Sequence, residues 1–432
     1  MDVQKIDSRV RKGILLLGGL ALLGMAVYWF LNQNKDVNNP DVEFVAPAEK
    51  QPKPLSPESF VWPMYGRDAA RTRELDADLK PPFKPVWRFV ANQLLEFSPI
   101  LVRGTLYVVR KDATVFAIDA KTGQVRWRRK VGSLSAASPA YADGKIYVVT
   151  LSGKIVGMRA RNGRILWSRK LGARTESSPL IRGRSVIFGA ENGKLYRLRQ
   201  SDGRIEWVAQ TDGAIKGGPA YSAGRLFVGT YGGSVWAVRA SNGRTIWKAG
   251  TSGARFGFSA GTFYATPSVA FGRVYVGNTD GKMYSFAASS GRLAWSKGTG
   301  NYVYSATSVQ NVPKLGPTIF FGSYDGRFYA LNARNGNVRW SWNSGGQISG
   351  APTVIGDIVY FSTIDTTNTY GLSTRNGHVR YRNGSGAYNP VISDGRRIFM
   401  TGYESVSSYV PRKDFRRESR ERRRAIRRQS ER

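Results

Sequence analysis

Tryptophan recurs along this chain at an almost fixed interval, and that interval restricts the fold more than any other feature. Trp87, Trp127, Trp167, Trp207 and Trp247 stand 40 residues apart, and Trp295, Trp340 and the substituted Tyr381 follow at gaps of 48, 45 and 41. From Trp127 onward each aromatic comes four residues after a glycine, as in Asp119-Ala-Lys-Thr-Gly123-Gln-Val-Arg-Trp127 and Ala333-Arg-Asn-Gly336-Asn-Val-Arg-Trp340. A period of 40–45 residues built from short β-type segments is that of stacked repeats, not of one conventional globular domain.

Within each period a small residue, usually with proline, comes first: Ser98-Pro99, Ser138-Pro139, Ser178-Pro179, Gly218-Pro219, Thr266-Pro267, Thr307-Ser308, Ala351-Pro352 and Asn389-Pro390. A tight turn follows, then a β-branched and aromatic run such as Arg225-Leu-Phe-Val-Gly229, then alternation as in Lys194-Leu-Tyr-Arg-Leu-Arg199. The glycine turn and the tryptophan strand close the unit. Four short strands punctuated this way form one antiparallel sheet, and such a sheet buries both faces only between neighbours. The sequence therefore predicts an all-β, eight-bladed β-propeller of four-stranded blades. The eighth repeat, from Asn389 to about Val410, has no tryptophan strand, whereas Val86-Trp87-Arg88-Phe89 has no blade before it. Pairing the two would close the ring and remove an open edge.

The repeat resembles that of the PQQ-like eight-bladed propellers, whose motif Ala-x-Asp-x-x-x-Gly-x-x-x-Trp is met in full by Ala117 to Trp127 and in part by later copies. The lead-in Trp62-Pro-Met-Tyr-Gly66-Arg-Asp-Ala-Ala-Arg71-Thr72 is similar to that family's as well, and the likeness spans roughly residues 60–411. It implies that each indole docks between blades against the small residue and glycine turn of the next. The motif's Asp survives only at Asp119; Arg159, Arg199, Arg239, Ala287, Asn332 and Ser373 replace it.

Outside the repeats, residues 13–31 carry no charge and as a helix would span roughly 28 Å, close to the hydrocarbon thickness of a bilayer. Lys5, Arg9, Arg11 and Lys12 precede the run and Asp36, Asp41 and Glu43 follow it. This predicts one N-terminal transmembrane helix in a bacterial cytoplasmic membrane, residues 1–12 cytoplasmic and the propeller extracytoplasmic. A cleaved signal peptide is the alternative, but no small-x-small site follows the run. Residues 32–59, with Pro40, Pro47, Pro52, Pro54 and Pro57, read as a semi-rigid tether holding the ring tens of ångströms from the membrane. Residues 412–432 carry eleven Arg or Lys against four acids, with Phe415 and Ile426 the sizeable apolar side chains, and read as a disordered basic tail.

The whole chain has a formal net charge of +35, of which +28 falls on residues 60–411. A polyanionic contact follows, an anionic lipid or wall polymer; nucleic acid is disfavoured by the expected address. Repeat registration directs basic residues to one face, through the turns between strands one and two and between strands three and four. Arg161, Arg164, Arg184, Arg204, Arg225, Arg244, Arg273, Arg292 and Arg334 are its principal members. On the opposite face, the long link into the fifth blade holds Arg255, Phe256, Phe258, Phe263 and Tyr264, and the next link adds Tyr302 and Tyr304. Aromatics with a cation on glycine-rich loops suit a protein partner.

The resemblance raises catalysis, because its family includes quinoprotein dehydrogenases that use a bound quinone and Ca²⁺ beneath a vicinal disulfide. This chain has no cysteine and a single histidine, His378, on a blade turn. That composition excludes lipid anchoring through cysteine and histidine-based metal clusters, and disfavours a Ser-His-Asp triad. The expectation is a non-enzymatic scaffold of the bacterial envelope with a protein partner, without cofactor or metal. It resembles the branch that contains the outer-membrane assembly lipoprotein. A quinone-dependent oxidoreductase and an extracytoplasmic ligand-sensing module are the alternatives.

Overall fold

The glycine turns, the β-branched runs and the recurring indole fold as the repeat requires. A computed structural model of the chain describes residues 8–32, 35–46, 60–251, 261–389 and 391–431. Its core is eight antiparallel four-stranded sheets arranged as blades. Blade three shows the pattern: Leu180–Arg182, Ser185–Gly189, Lys194–Arg199 and Ile205–Gln210, paired in that order. The short first strand lies innermost and the second and third strands carry the apolar core. Blade eight contains Val391–Ser393, Ile398–Thr401 and Ser405–Pro411, completed by Phe83–Val90 with Trp87 opposite Ser408. The ring closes as the repeat count demands.

The seven tryptophans of the repeat series each dock on the next blade. Trp87, Trp127, Trp167, Trp207, Trp247, Trp295 and Trp340 cover Gly123, Gly163, Gly203, Gly243, Gly291, Gly336 and Gly377, where an added Cβ would stand 2.5–2.8 Å from the ring. Each Nε1–H donates to a carbonyl of that same turn, from Trp87 to Ala120 (3.1 Å) through Trp340 to Thr374 (3.1 Å). Large apolar rings are thus buried without orphaning their polar atom. Tyr381 is different. Blade eight is closed by two separate chain segments, so no glycine turn faces it, and it packs edge-on against Phe83 at 5.3 Å. In every blade the pairing register shifts beside the docking residue, as between Ala117 and Ile118 opposite Trp127, which twists the outer strand.

Outer strands such as Val125–Lys130 and Ile165–Lys170 are largely exposed and rich in Arg and Lys. Like charges along unpaired edges oppose sheet-to-sheet association, which accounts for part of the excess charge.

The lead-in segment crosses the ring's axis. Backbone carbonyls of Phe60, Pro63, Ala69, Ala70, Thr72 and Arg73 accept from Arg103, Tyr141, Tyr221, Val269, Val309 and Val354, on the innermost strands or their ends in blades one, two, four, five, six and seven. Blade three is reached by a side chain. The Arg71 guanidinium, fully buried, donates to the carbonyls of Ser178 (3.2 Å), Pro179 (3.3 Å), Pro219 (2.9 Å) and Tyr65. Burial and the nearby Arg73 pull its pKa down to about 9. These bonds place residues 60–75 as a floor across the central channel.

Two expectations are corrected. Residues 412–432 contain a helix, α2 (Phe415–Ser430), not a disordered tail. Apolar burial alone gives no reason for it to order. It docks through charge instead, with Glu418 buried against Arg397, Lys121 bridging Glu421 at 3.0 Å and Arg422 Nε donating to the Thr122 carbonyl. The tether is likewise not a free spacer over its first part. Val37–Asn38 adds a fifth strand to the outer edge of blade five, Lys297 pairs with Asp36, and Arg273 donates to the carbonyls of Val42 and Glu43.

Ahead of it, α1 (Ser8–Asn32) is helical, with Ile14, Leu15, Leu16, Leu17, Leu20, Leu22 and Leu23 exposed. Among the described residues no helix is long and apolar enough to cross a membrane, so the span expected over 13–31 rests on the sequence.

Candidate functional site

Strand direction gives the ring two unlike faces. Turns between strands one and two and between three and four lie on one, the turn face. The loops between strands two and three, and the links from blade to blade, lie on the other, the loop face. With the floor of residues 60–75 bonded toward the turn-face ends of the innermost strands, the channel becomes a blind cup open at the loop face. Its volume is about 80 Å³.

The cup is lined by residues that precede the innermost strands. Glu96 and Phe97 come from blade one, Glu176 and Ser178 from blade three, Lys216 from blade four, Tyr264 from blade five, Tyr304 from blade six, and Tyr388 and Asn389 from blade eight, with Tyr65 rising from the floor. Lys216 Nζ lies 3.2 Å from Glu176 and 3.5 Å from Glu191, and 5.4 Å from the centre of the Tyr231 ring. Glu96 has no such partner: its carboxylate makes no hydrogen bond or ion pair among the described residues. Burial, then the neighbouring Glu176, raises its pKa. Burial also pushes the Tyr264 phenol far above its ordinary range.

Tyr231, Tyr264, Tyr304, Tyr302 and Tyr324 form a continuous aromatic band on the rim, with successive ring centres 6.2, 5.3, 5.7 and 6.5 Å apart. Of the aromatic-loop residues expected from the sequence, Tyr264, Tyr302 and Tyr304 belong to this band, and Tyr302 is 47% exposed. Phe263 does not. It is fully buried beside Tyr284 and Phe286, because the link turns inward to fill the gap over Gly229. Arg255, Phe256 and Phe258 lie outside the described residues.

On the turn face, Arg161, Arg164, Arg184, Arg204, Arg244, Arg292 and Arg334 are exposed. Arg225 is half-buried, and Arg273 is removed from that surface altogether, fully buried under residues 42–43. α2 sits on the same face, since its contacts Lys121, Thr122 and Arg397 belong to turns of blades one and eight, and it adds Arg417, Arg420, Arg423 and Arg424.

Glu96, Glu176, Lys216, Tyr388 and Asn389 belong to none of the site motifs read from the sequence. A signal exists nonetheless. Aligned on the strand-opening residue, the position two before it reads Glu96, Ala136, Glu176, Lys216, Tyr264, Ser305, Ser349 and Ala387. Four of the eight are Ala or Ser, and the four larger residues, Glu96, Glu176, Lys216 and Tyr264, all line the cup.

The family profile described as outer membrane protein assembly factor BamB matches residues 84–216 and 207–409. The chain belongs to this family. Among solved structures it is similar to BamB from Moraxella catarrhalis, with a TM-score of 0.61 and 19% identity, over 76% of this chain and 99% of that one. It is similar too to the quinohemoprotein alcohol dehydrogenase ADHIIG from Pseudomonas putida HK5 (TM-score 0.68, 14% identity, 82% of this chain and 80% of that one). The computationally designed Ika8 protein gives a TM-score of 0.62 at 13% identity, over 76% of this chain and 99% of that one. At these identities the likenesses establish the propeller and no more. No curated protein sequence matches.

Within the BamB family fold, the cup can be set against the quinone of the dehydrogenases. A tricarboxylate quinone needs space for a fused ring system and cationic partners. Among the described residues the cup offers about 80 Å³, two carboxylates, Glu96 and Glu176, and one cation, Lys216, which is already paired. No group of three or more His, Cys, Asp or Glu able to hold a metal ion occurs among the described residues. The residues present do not fit that cofactor.

Proposed function

We propose that this BamB-family propeller is a membrane-anchored, extracytoplasmic binding scaffold of the bacterial cell envelope, with no catalytic role. One observation carries the reading. The channel is floored, so its open end is a shallow cup ringed by tyrosines, a shape for seating part of another protein rather than for enclosing a substrate. Large aromatics around a concave site supply most of the energy where they are buried by a partner, while peripheral charges govern rate and salt dependence. The charge-free run of residues 13–31 and the basic residues before it support an anchor with the ring outside the cytoplasm. The turn face, with exposed arginines and α2, is suited to an anionic wall polymer or to an anionic lipid surface other than the membrane that anchors the chain.

The anchoring also bears on orientation. Residue 35 lies beside Lys282, at the loop-face end of blade five, and three residues after α1 the chain has travelled about 11 Å at most. An anchored ring would therefore hold its cup toward the membrane and its arginines away from it. A photocrosslinker at Tyr302 should capture a protein partner in whole envelopes at low and high salt, and alanine at Tyr264 and Tyr304 should abolish capture. Reversing Arg164, Arg204 and Arg244 should weaken only salt-sensitive adsorption to anionic polymer or vesicles. Equal capture by the tyrosine variants would overturn the assignment of the face.

A further inference from the structure

Among the described residues, two acceptors of the cup have no donor. Asn389 is only 5% exposed, yet its Oδ1 is buried without a hydrogen-bond partner while its Nδ2 donates to the Glu96 carbonyl at 3.0 Å. The Glu96 carboxylate, from the blade next to it around the ring, lines the same cup. A buried acceptor left without a hydrogen bond is destabilising, and a half-buried carboxylate that only senses Lys111 and Lys216 at a distance, without a direct ion pair, adds to that. Two acceptors without a donor among the described residues, on side chains that line one cup, offer a place for a donor.

The surroundings narrow the donor. Phe97 and Tyr65 meet edge to face at 5.6 Å, and Tyr388 lines the same cup. Aromatic faces beside a carboxylate attract a cation and disfavour an anion. Neither buried arginine of the floor lines the cup: Arg71 is capped by four carbonyls, and Arg73 stacks on the Tyr65 ring, 3.8 Å from its centre. Glu176 is paired with Lys216, so among the described residues the carboxylate of the cup without a direct ion pair is that of Glu96. About 80 Å³ accommodates a head group of a few heavy atoms on an extended stem, not a folded ligand.

We infer that the cup is a receptor for one basic side chain, an arginine or lysine head group presented by a partner peptide, held by the Glu96 carboxylate and Asn389 Oδ1 between the rings of Tyr65, Phe97 and Tyr388. This rests on the scaffold reading only for the source of the side chain; the chemistry of the cup stands without it. A guanidinium, with five planar donors, answers both acceptors at once and is favoured over an ammonium.

The test uses the full-length protein in detergent and three probes: N-acetyl-arginine methylamide, N-acetyl-lysine methylamide and the uncharged N-acetyl-norleucine methylamide. Ligand-observed NMR should give saturable binding in the order arginine, lysine, norleucine, with arginine at least tenfold tighter than norleucine. Glu96→Gln and Asn389→Ala should each weaken arginine at least fivefold while leaving the thermal melt within a few degrees of wild type, and Lys170→Glu, on an exposed outer strand, should bind as wild type. Because the wild-type comparison of charged and neutral probes needs no variant, a poorly folding Glu96→Gln protein would not spare the proposal. Equal binding of arginine and norleucine, no saturable binding of any probe, or wild-type affinity in both variants would each overturn it. Capture through Tyr302 that persists in Glu96→Gln, with no arginine preference in wild type, would remove the cup's ligand and leave the scaffold.

Discussion

At Gly243 a hydrogen atom stands where any other residue would put carbon. The position has φ +74°, and a Cβ there would lie 2.7 Å from Trp207 Cε3. Gly243→Ala therefore carries both backbone strain and displacement of an indole that also donates to the Ala240 carbonyl at 3.1 Å. We expect a loss of roughly 2–4 kcal/mol in urea unfolding. Combined with Trp207→Leu, the same change should cost markedly less than in wild type, since the ring it collides with is gone. Additive costs would mean that the glycine serves its turn alone. This pair is legible in the sequence because the fold requires it in seven copies. The residues of the cup are not, because each occurs once. Glu96 and Asn389 lie some 290 residues apart and become neighbours only when the ring closes. Phe263 departs from expectation for a related reason: an aromatic on a long link has the same composition whether it turns out to a partner or in over Gly229.

At the scale of elements, α2 shows what apolar patterning cannot reveal. Its sequence has almost nothing to bury, yet Glu418 is 2% exposed, held by Arg397, which also pairs with Asp394 at 3.2 Å. Burial raises the Asp394 pKa, with Arg397 opposing, so the guanidinium between two acids is the centre of the contact. Removing one member of such a cluster leaves charge buried without its counterion, a loss of about 3–5 kcal/mol where the structure cannot relax. Here relaxation is available, because the helix can leave. Glu418→Ala should release α2 without unfolding the ring. Trypsin would then remove the arginine-rich helix at least tenfold faster than from wild type, while the melt of the remaining protein stays within a few degrees. Unchanged cleavage would mean that Lys121–Glu421 and the Thr122 contact suffice to hold it.

For the whole molecule, two devices hold the ring: Phe83–Val90 zipped to Ser405–Pro411, and residues 60–75 bonded across the axis. The second makes links between blades mechanically redundant. Gly172 lies on one such link, where an added Cβ would meet nothing within 4 Å. Cleavage at a protease site inserted after it should leave one native-sized particle that separates into two fragments only in denaturant. Dissociation under native conditions would show that the axial segment contributes little. Its bonds also run in a particular order. Phe60, Pro63, Ala69, Ala70, Thr72 and Arg73 meet blades one, two, four, five, six and seven in the sequence in which those blades are made. As a nascent chain emerges amino end first, each of these six blades finds its docking point already waiting and the one before it in this series filled. A ring whose ends meet only at the last step can thus be assembled like beads fitted to a numbered rail, without a search among eight nearly identical neighbours.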